Sequence, residues 1–185
     1  MNGMLSLWLP ILATAVFIFI ASSLIHMVFK WHNSDYKKIA NEDEVRAAIR
    51  ASSPVPGQYV VPHCVDMKDM GSEEMKKKFL EGPIAFMTVR KNGPPNMGLA
   101  LTSWFIYSLL VACVAACVAS ETLGLNANPS QAGHLVGVIS FMTYVGGSIQ
   151  MGIWTGKPWS SVAKEVLDGL NYGVISGLTF MWLWR

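Results

Sequence analysis

Four apolar runs, each long enough to cross a bilayer, bracket one polar segment, and this pattern leaves few folds open to the chain. The runs are 5–29, 99–120, 133–154 and 159–184, and the polar segment is 30–96. At about 1.5 Å of rise per residue, some 20 residues cross a hydrocarbon core of about 30 Å. A backbone in lipid must satisfy its own hydrogen bonds, so such runs are helices. The expected fold is an integral membrane protein, mainly α, with four transmembrane helices and a small cytoplasmic α+β insert between helices 1 and 2. Residues 1–29 hold transmembrane helix 1, 30–96 the insert, and 97–185 transmembrane helices 2–4, the four making a four-helix bundle.

The first run is read as a retained anchor and not as a secretion signal. No Lys or Arg precedes it, it exceeds an apolar signal core of about 7–15 residues, and Lys30-Trp31-His32 follows it in place of a small-residue cleavage site. Composition supports a membrane chain. Hydrophobic residues make up 52% and charged residues only 14%, where a soluble domain carries about a quarter.

Charge is concentrated in 30–96, which holds eleven of the fourteen Lys/Arg and nine of the twelve Asp/Glu. A net charge of +2 with interleaved signs excludes a nucleic-acid partner. Cys64, Cys113 and Cys117 show no CxxC or zinc spacing, and Cys113 and Cys117, four apart on one helix face, suit close packing.

Within the insert, Asn41 followed by Glu44 reads as a helix cap, predicting a helix over 42–51 that Ser53-Pro54-Val55-Pro56-Gly57 ends. Gln58–Val61 has strand composition. Ser72 caps a second helix over 73–80, Gly82-Pro83 stops it, and 84–89 is a second β-rich run. Tyr59, Val61, Phe79, Phe86 and Val89 are expected to pack together, although a piece this small buries little core alone.

Basic residues near helix ends mark the cytoplasmic side. Lys30, Lys37, Lys38, Arg90 and Lys91 place the insert there, and Lys157 and Lys164 place the 3–4 return beside it. Both termini are then outside. Trp31, Trp104, Trp154 and Trp159 fall near the inner interface, and Trp8, Trp182 and Trp184 near the outer, as interfacial belts require.

Gly169, Gly173 and Gly177 recur every four residues on helix 4 and leave a groove for another helix, from this chain or another subunit. Asp168 lies about nine residues into that run, where an ionisable group is costly. It is expected either to pair with Lys164 at i, i+4 near the headgroups or to join Asn171, Tyr172 or Gln150 in a polar intramembrane site. His63, Cys64, Met67 and Met70 offer soft ligands of the kind that select Cu(I), in a spacing that matches no established metal signature. His26 and His32 flank the inner end of helix 1, and His26 is a candidate ligand for haem or pigment without a facing partner. Surface and hydrogen-bonding roles account for these residues more simply, so no cofactor is expected. No phosphate loop, nucleophile elbow or HExxH appears.

Ile25-His26-Met27, Trp31-His32-x-Ser34-Asp35-Tyr36, Gly82-Pro83-x-Ala85-Phe86-Met87-Thr88-Val89, Gly93-Pro94-Pro95-Asn96-Met97-Gly98 and Asp168-Gly169-x-x-Tyr172-Gly173 together make a pattern that resembles a group of uncharacterised bacterial four-helix inner-membrane proteins. The resemblance covers most of the chain and implies a bacterial inner membrane, with no activity to transfer. The expected function is a non-enzymatic accessory or scaffold subunit, contacting lipid and other membrane subunits or a second copy of itself, in a larger complex such as a respiratory or photosynthetic one. The rival classes are a small transporter or channel using Asp168, Gln150 and Asn171, and a lipid-active enzyme at the inner interface.

Overall fold

The computed structural model describes residues 6–184, so the expected helix start at Leu5 and the terminal Arg185 lie outside the described residues. It is mainly helical, at 73%, with one small two-stranded sheet. Two compact units are present: Lys38–Pro95, and the rest of the chain, with residues 30–37 joined to the helices.

In the helical unit, α1 runs Trp8–Ser23 and continues as a π-helical turn, Leu24–Phe29. The widening has a local cause. The hydroxyls of Ser22 and Ser23 both bond back to the Phe19 carbonyl, and His26 Nδ1 donates to the Ser22 carbonyl, so side chains compete for the helix ladder at this point. Lys30, with φ of 54°, then ends the helix, and Trp31–Asp35 forms a 3-10 turn.

The other long helices are α4 (Met97–Leu123), α5 (Pro129–Thr155) and α6 (Trp159–Leu183). Asn96 and Asn128 cap α4 and α5 by accepting from the Leu99 and Ser130 backbone amides. Three helices are long and apolar enough to cross a membrane: Trp8–Phe29, Met97–Leu123 and Pro129–Thr155. The fourth, α6, has the length, but Lys164, Glu165 and Asp168 lie in its first half. Helix α1 packs on α4 and α6, α4 on α5, and α5 on α6, which is the most extensive contact.

Small residues make these contacts. Ala115, Ala116 and Ala119 of α4 meet Ala132 and Val136 of α5, with Leu7, Phe180 and Trp184 filling one end of the core. A second cluster gathers Ile18, Ile25 and Tyr172, with Trp104 and Tyr144 against it. Two tryptophans face inward: Trp184 is buried, and the half-buried Trp104 donates its indole N–H to Ser22 Oγ at 2.8 Å. Buried indoles seek a partner, and Ser22 supplies one for Trp104.

The glycine face of α6 is used inside the chain. A Cβ on Gly173 would meet the Gly137 carbonyl at 2.9 Å, and one on Gly177 the Gly133 carbonyl at 2.9 Å. Gly169 accommodates Val145 in the same row. The α5 and α6 backbones thus approach through two facing glycine rows.

The 38–95 unit contains α2 (Glu42–Ala51), β1 (Gly57–Val61), α3 (Glu73–Glu81) and β2 (Ala85–Val89). The strands pair antiparallel, Tyr59 opposite Met87 and Val60 opposite Phe86. Ser72 caps α3 by accepting from the Met75 amide at 3.2 Å. Two expectations fail. Asn41 makes no side-chain cap, because its backbone does not take the geometry that aims the side chain into the helix. Phe86 is exposed, because the half-buried face of β2 carries Ala85, Met87 and Val89 and alternation puts Phe86 on the other; Val61, opposite Ala85 at the last position of β1, is exposed as well. Met75 is the only buried hydrophobic residue of this unit.

Glycine packing can be tested with an internal control. A Cβ on Gly133 would lie 2.5 Å from the Gly177 carbonyl, whereas one on Gly147 would meet nothing within 4 Å. Gly133→Ala should destabilise the helical unit by about 1–3 kcal/mol, and Gly147→Ala should leave it unchanged or raise it by up to about 1 kcal/mol. Unfolding of the purified chain in mixed micelles reads the difference.

Candidate functional site

Where the first helix ends, the turn Trp31–Asp35 folds against the start of α6, and the polar residues of both elements meet. His32 lies at the centre. Its Nδ1 is 2.8 Å from Asp35 Oδ2, and its Nε2 is 2.8 Å from Asp168 Oδ2. A carboxylate only accepts, so an imidazole contacting two carboxyl groups needs two protons among the three. Either the ring is an imidazolium between two carboxylates, or a neutral ring donates to one and accepts from a protonated other. Both states leave the three groups with one net negative charge.

Lys164 balances it. Its ammonium donates to the Trp31 carbonyl at 2.8 Å, to Ser34 Oγ at 2.7 Å and to Asp35 Oδ1 at 2.6 Å, using all three protons. This hydrogen bond is the main reason that the Asp35 carboxyl is held down to about 2, with the bond to His32 adding to it against the opposing effect of burial. Lys157 pairs with Glu165 on the same side.

Asp168 is 5% exposed, and its Oδ1 is buried with no hydrogen-bond partner in the structure. Tyr172 follows one turn later, buried, with its hydroxyl also unpartnered. Its ring stands edge-on to Tyr144 at 5.1 Å and lies 6.0 Å from Trp104. Above Asp168 the rings of His26 and His32 lie 4.8 Å apart and 13° from parallel. Because His26 Nδ1 donates to a carbonyl, its Nε2 keeps the lone pair. A cavity of about 300 Å³ opens beside the two histidines, lined also by Asp35, Lys157, Ser161 and Glu165.

The pairing expected between Lys164 and Asp168 is not the one formed. Lys164 goes to Asp35 and Asp168 to His32, because two acids and two bases from distant parts of the chain give each buried group a nearer partner than its own helix does. Gln150 and Asn171 are exposed and do not share the buried position of Asp168. In the insert, Cys64 donates its thiol to the Asp66 carbonyl at 2.9 Å, and His63, Met67 and Met70 are exposed around a 3-10 turn, so these four form no enclosed ligand shell. Gly169, Gly173 and Gly177 face α5. His26 stands at the site, and His32 and Asp35 are the members that sequence reasoning did not assign. Their signal was the His-x-x-Asp spacing at the membrane-proximal end of the polar segment, at the same expected interface as Lys164.

No protein-family model matches the chain, and neither a curated protein nor a solved structure does.

The clasp between the turn and α6 makes two measurements informative. Asp35→Asn removes the carboxylate from Lys164 and one partner from His32, so backbone amides 31–36 should exchange faster with solvent while helix content stays unchanged. In the wild type the Asp35 pKa is lowered on folding from the usual value near 4. Its contribution is then complete above about pH 4 and is lost as pH falls through about 2. Protection of 31–36, corrected for intrinsic exchange, should fade between those limits. Protection indifferent to acid throughout would remove Asp35 from the clasp.

Proposed function

We propose that the chain is a four-span protein of the bacterial cytoplasmic membrane, with both termini outside and residues 30–96 cytoplasmic, and that it serves as a non-enzymatic accessory or scaffold subunit of a larger membrane complex. Three helices long and apolar enough to cross a membrane support three of the spans. The fourth rests on the pairing of charges on α6. Lys164, Glu165 and Asp168 each have a partner of opposite charge or a histidine at the same end of the helical unit, in Asp35, Lys157 and His32. Paired near an interface, such groups enter a membrane far more easily than alone. The four-helix packing and the basic flanks are consistent with the resemblance drawn from the sequence.

The subunit role is carried by one observation, the exposure of apolar side chains on the 38–95 unit. Leu80 is 89% exposed, Val65 93% and Phe86 54%, while only Met75 among its hydrophobic residues is buried. A segment in water that buries so little is marginal by itself. A partner that covered these side chains would bury apolar surface that the unit itself leaves in water.

Two experiments test the proposal. For topology, a chain carrying Cys113→Ala and Cys117→Ala keeps Cys64 as its single thiol. A membrane-impermeant maleimide should label it in inverted vesicles and leave it unlabelled in intact cells; the reverse pattern overturns the orientation. For the subunit role, a photo-crosslinking residue placed at 86 should give one discrete protein adduct in membranes, and adding Leu80→Asp should reduce that adduct at least about tenfold, as loss of a central apolar contact does. A chain that migrates alone on native gels and forms adducts only with lipid refutes docking.

A further inference from the structure

We propose that His26, His32 and Asp168 form a binding site for a first-row divalent transition-metal ion, with Asp35 as the carboxylate that orients His32. Among the described residues these three are the one group of His, Cys, Asp or Glu side chains whose ligand atoms converge, all within 4.8 Å of one another. Four features of their surroundings point to an ion.

First, the hydrogen bonds leave the correct atoms free. A ligating histidine ordinarily donates its second ring nitrogen to a carbonyl or carboxylate, which fixes the tautomer and aims the lone pair at the metal. His32 Nδ1 meets Asp35 Oδ2 at 2.8 Å, which presents its Nε2 to the ion, and His26 Nδ1 donates to the Ser22 carbonyl at 3.0 Å, which leaves its Nε2 unprotonated.

Second, Asp168 is a buried carboxyl with an unused oxygen. Oδ2 faces His32, while Oδ1 has no partner at a residue that is 95% buried by its 5% exposure. Such an atom is costly to leave bare. Bidentate attachment to an ion, or a water held by that ion, satisfies it.

Third, spacing and charge suit a cation. Two ligands each about 2.1 Å from one ion and at right angles lie about 3 Å apart, and His32 Nε2 lies 2.8 Å from Asp168 Oδ2. The ion takes the place of the proton held between those atoms. Around the histidines, Asp35, Glu165 and Asp168 stand against Lys157 and Lys164, three negative groups to two positive, so a cation is not repelled.

Fourth, both histidines open on the 300 Å³ cavity while Asp168 closes the site from the buried side, which leaves coordination positions for water or a small ligand. Two imidazoles and one carboxylate with open positions suit Fe2+, Mn2+, Co2+ or Zn2+, and not the all-oxygen preference of Mg2+ or Ca2+. The lone pairs of nearly parallel rings do not meet, so ligation by both turns the exposed His26 ring about its side-chain bonds and exchanges its bond to the Ser22 carbonyl for the ion, while His32 stays as Asp35 holds it. His26 stands in the π-helical turn, a distortion that recurs at functional sites.

The site is independent of the subunit role proposed above and is tested separately. The full chain, purified in detergent without a histidine tag and stripped with chelator, is titrated with Co2+, whose visible absorption reports nitrogen and oxygen ligation. The expected result is one saturable Co2+ per chain, displaced by Zn2+ and not by Mg2+. Asp35→Asn should weaken binding about 10- to 100-fold. His26→Ala, at an exposed position where folding is not at risk, should weaken it at least as much, and Asp168→Asn should abolish it. His63→Ala and His134→Ala should change nothing. Absence of saturable binding to the wild type, binding that survives His26→Ala unchanged, or loss with His63→Ala each overturns the proposal.

Discussion

The helical unit depends on one imidazole held between two carboxyl groups. Without His32, Asp168 would be an isolated carboxylate buried between helices, a state that costs several kcal/mol even after relaxation. Without Asp35, the ammonium of Lys164 would lose the acid that neutralises it. These groups come from two elements separated by more than a hundred residues, and each solves the other's desolvation problem. The geometry explains the break after α1. A helix that ran on past Phe29 would carry His32 and Asp35 away from α6, whereas the π turn and the left-handed Lys30 bring the 3-10 turn back against it.

The glycine rows and the polar clasp are two consequences of how α6 is rotated. Residues four apart share a face, so Gly169, Gly173 and Gly177 form one column, and Lys164, Asp168 and Tyr172 form the neighbouring one. Seating the glycines on Gly133 and Gly137 of α5 commits the next column to the interior, where Tyr172 meets Ile18 and Ile25 and Asp168 meets His32. In lipid, which supplies no hydrophobic force between helices, close backbone contact and a few hydrogen bonds would decide the arrangement. Here one column supplies the contact and the other the hydrogen bonds.

Local signals were legible in the sequence and long-range partners were not. The end of α2 and both ends of α3 could be read because a breaker or cap stands there, as Ser53-Pro54, Ser72 and Gly82-Pro83 do. Glycine periodicity marked the packing face of α6 without saying that Gly133 and Gly137 answer it. Asp168 stands out because an acid at depth is rare, but its candidate partners by sequence were Lys164, Asn171, Tyr172 and Gln150, while the partner it takes stands 136 positions away. Spacing cannot weigh a local partner against one that the fold brings nearby. Topology could have narrowed the choice, since the same basic flanks assign residues 30–38 and 157–164 to one interface. Phe86 was misplaced for a different reason. Strand composition identifies a strand, but a one-residue choice of register decides which face its large side chain takes.

The two units put opposite demands on their surroundings. In the helical unit, outward apolar residues such as Phe17, Leu110 and Leu178 need no cover if lipid is the solvent, and the polar groups are the ones tied up inside. In the 38–95 unit, charges are solvated in pairs such as Lys78 with Glu74, and the apolar residues are the ones left out. Exposed ion pairs add little stability, and Met75 alone is not a core. The conformational entropy of ordering this segment is set against little buried apolar surface. Cover over apolar residues such as Leu80 and Phe86 would add to that surface more than any further ion pair would.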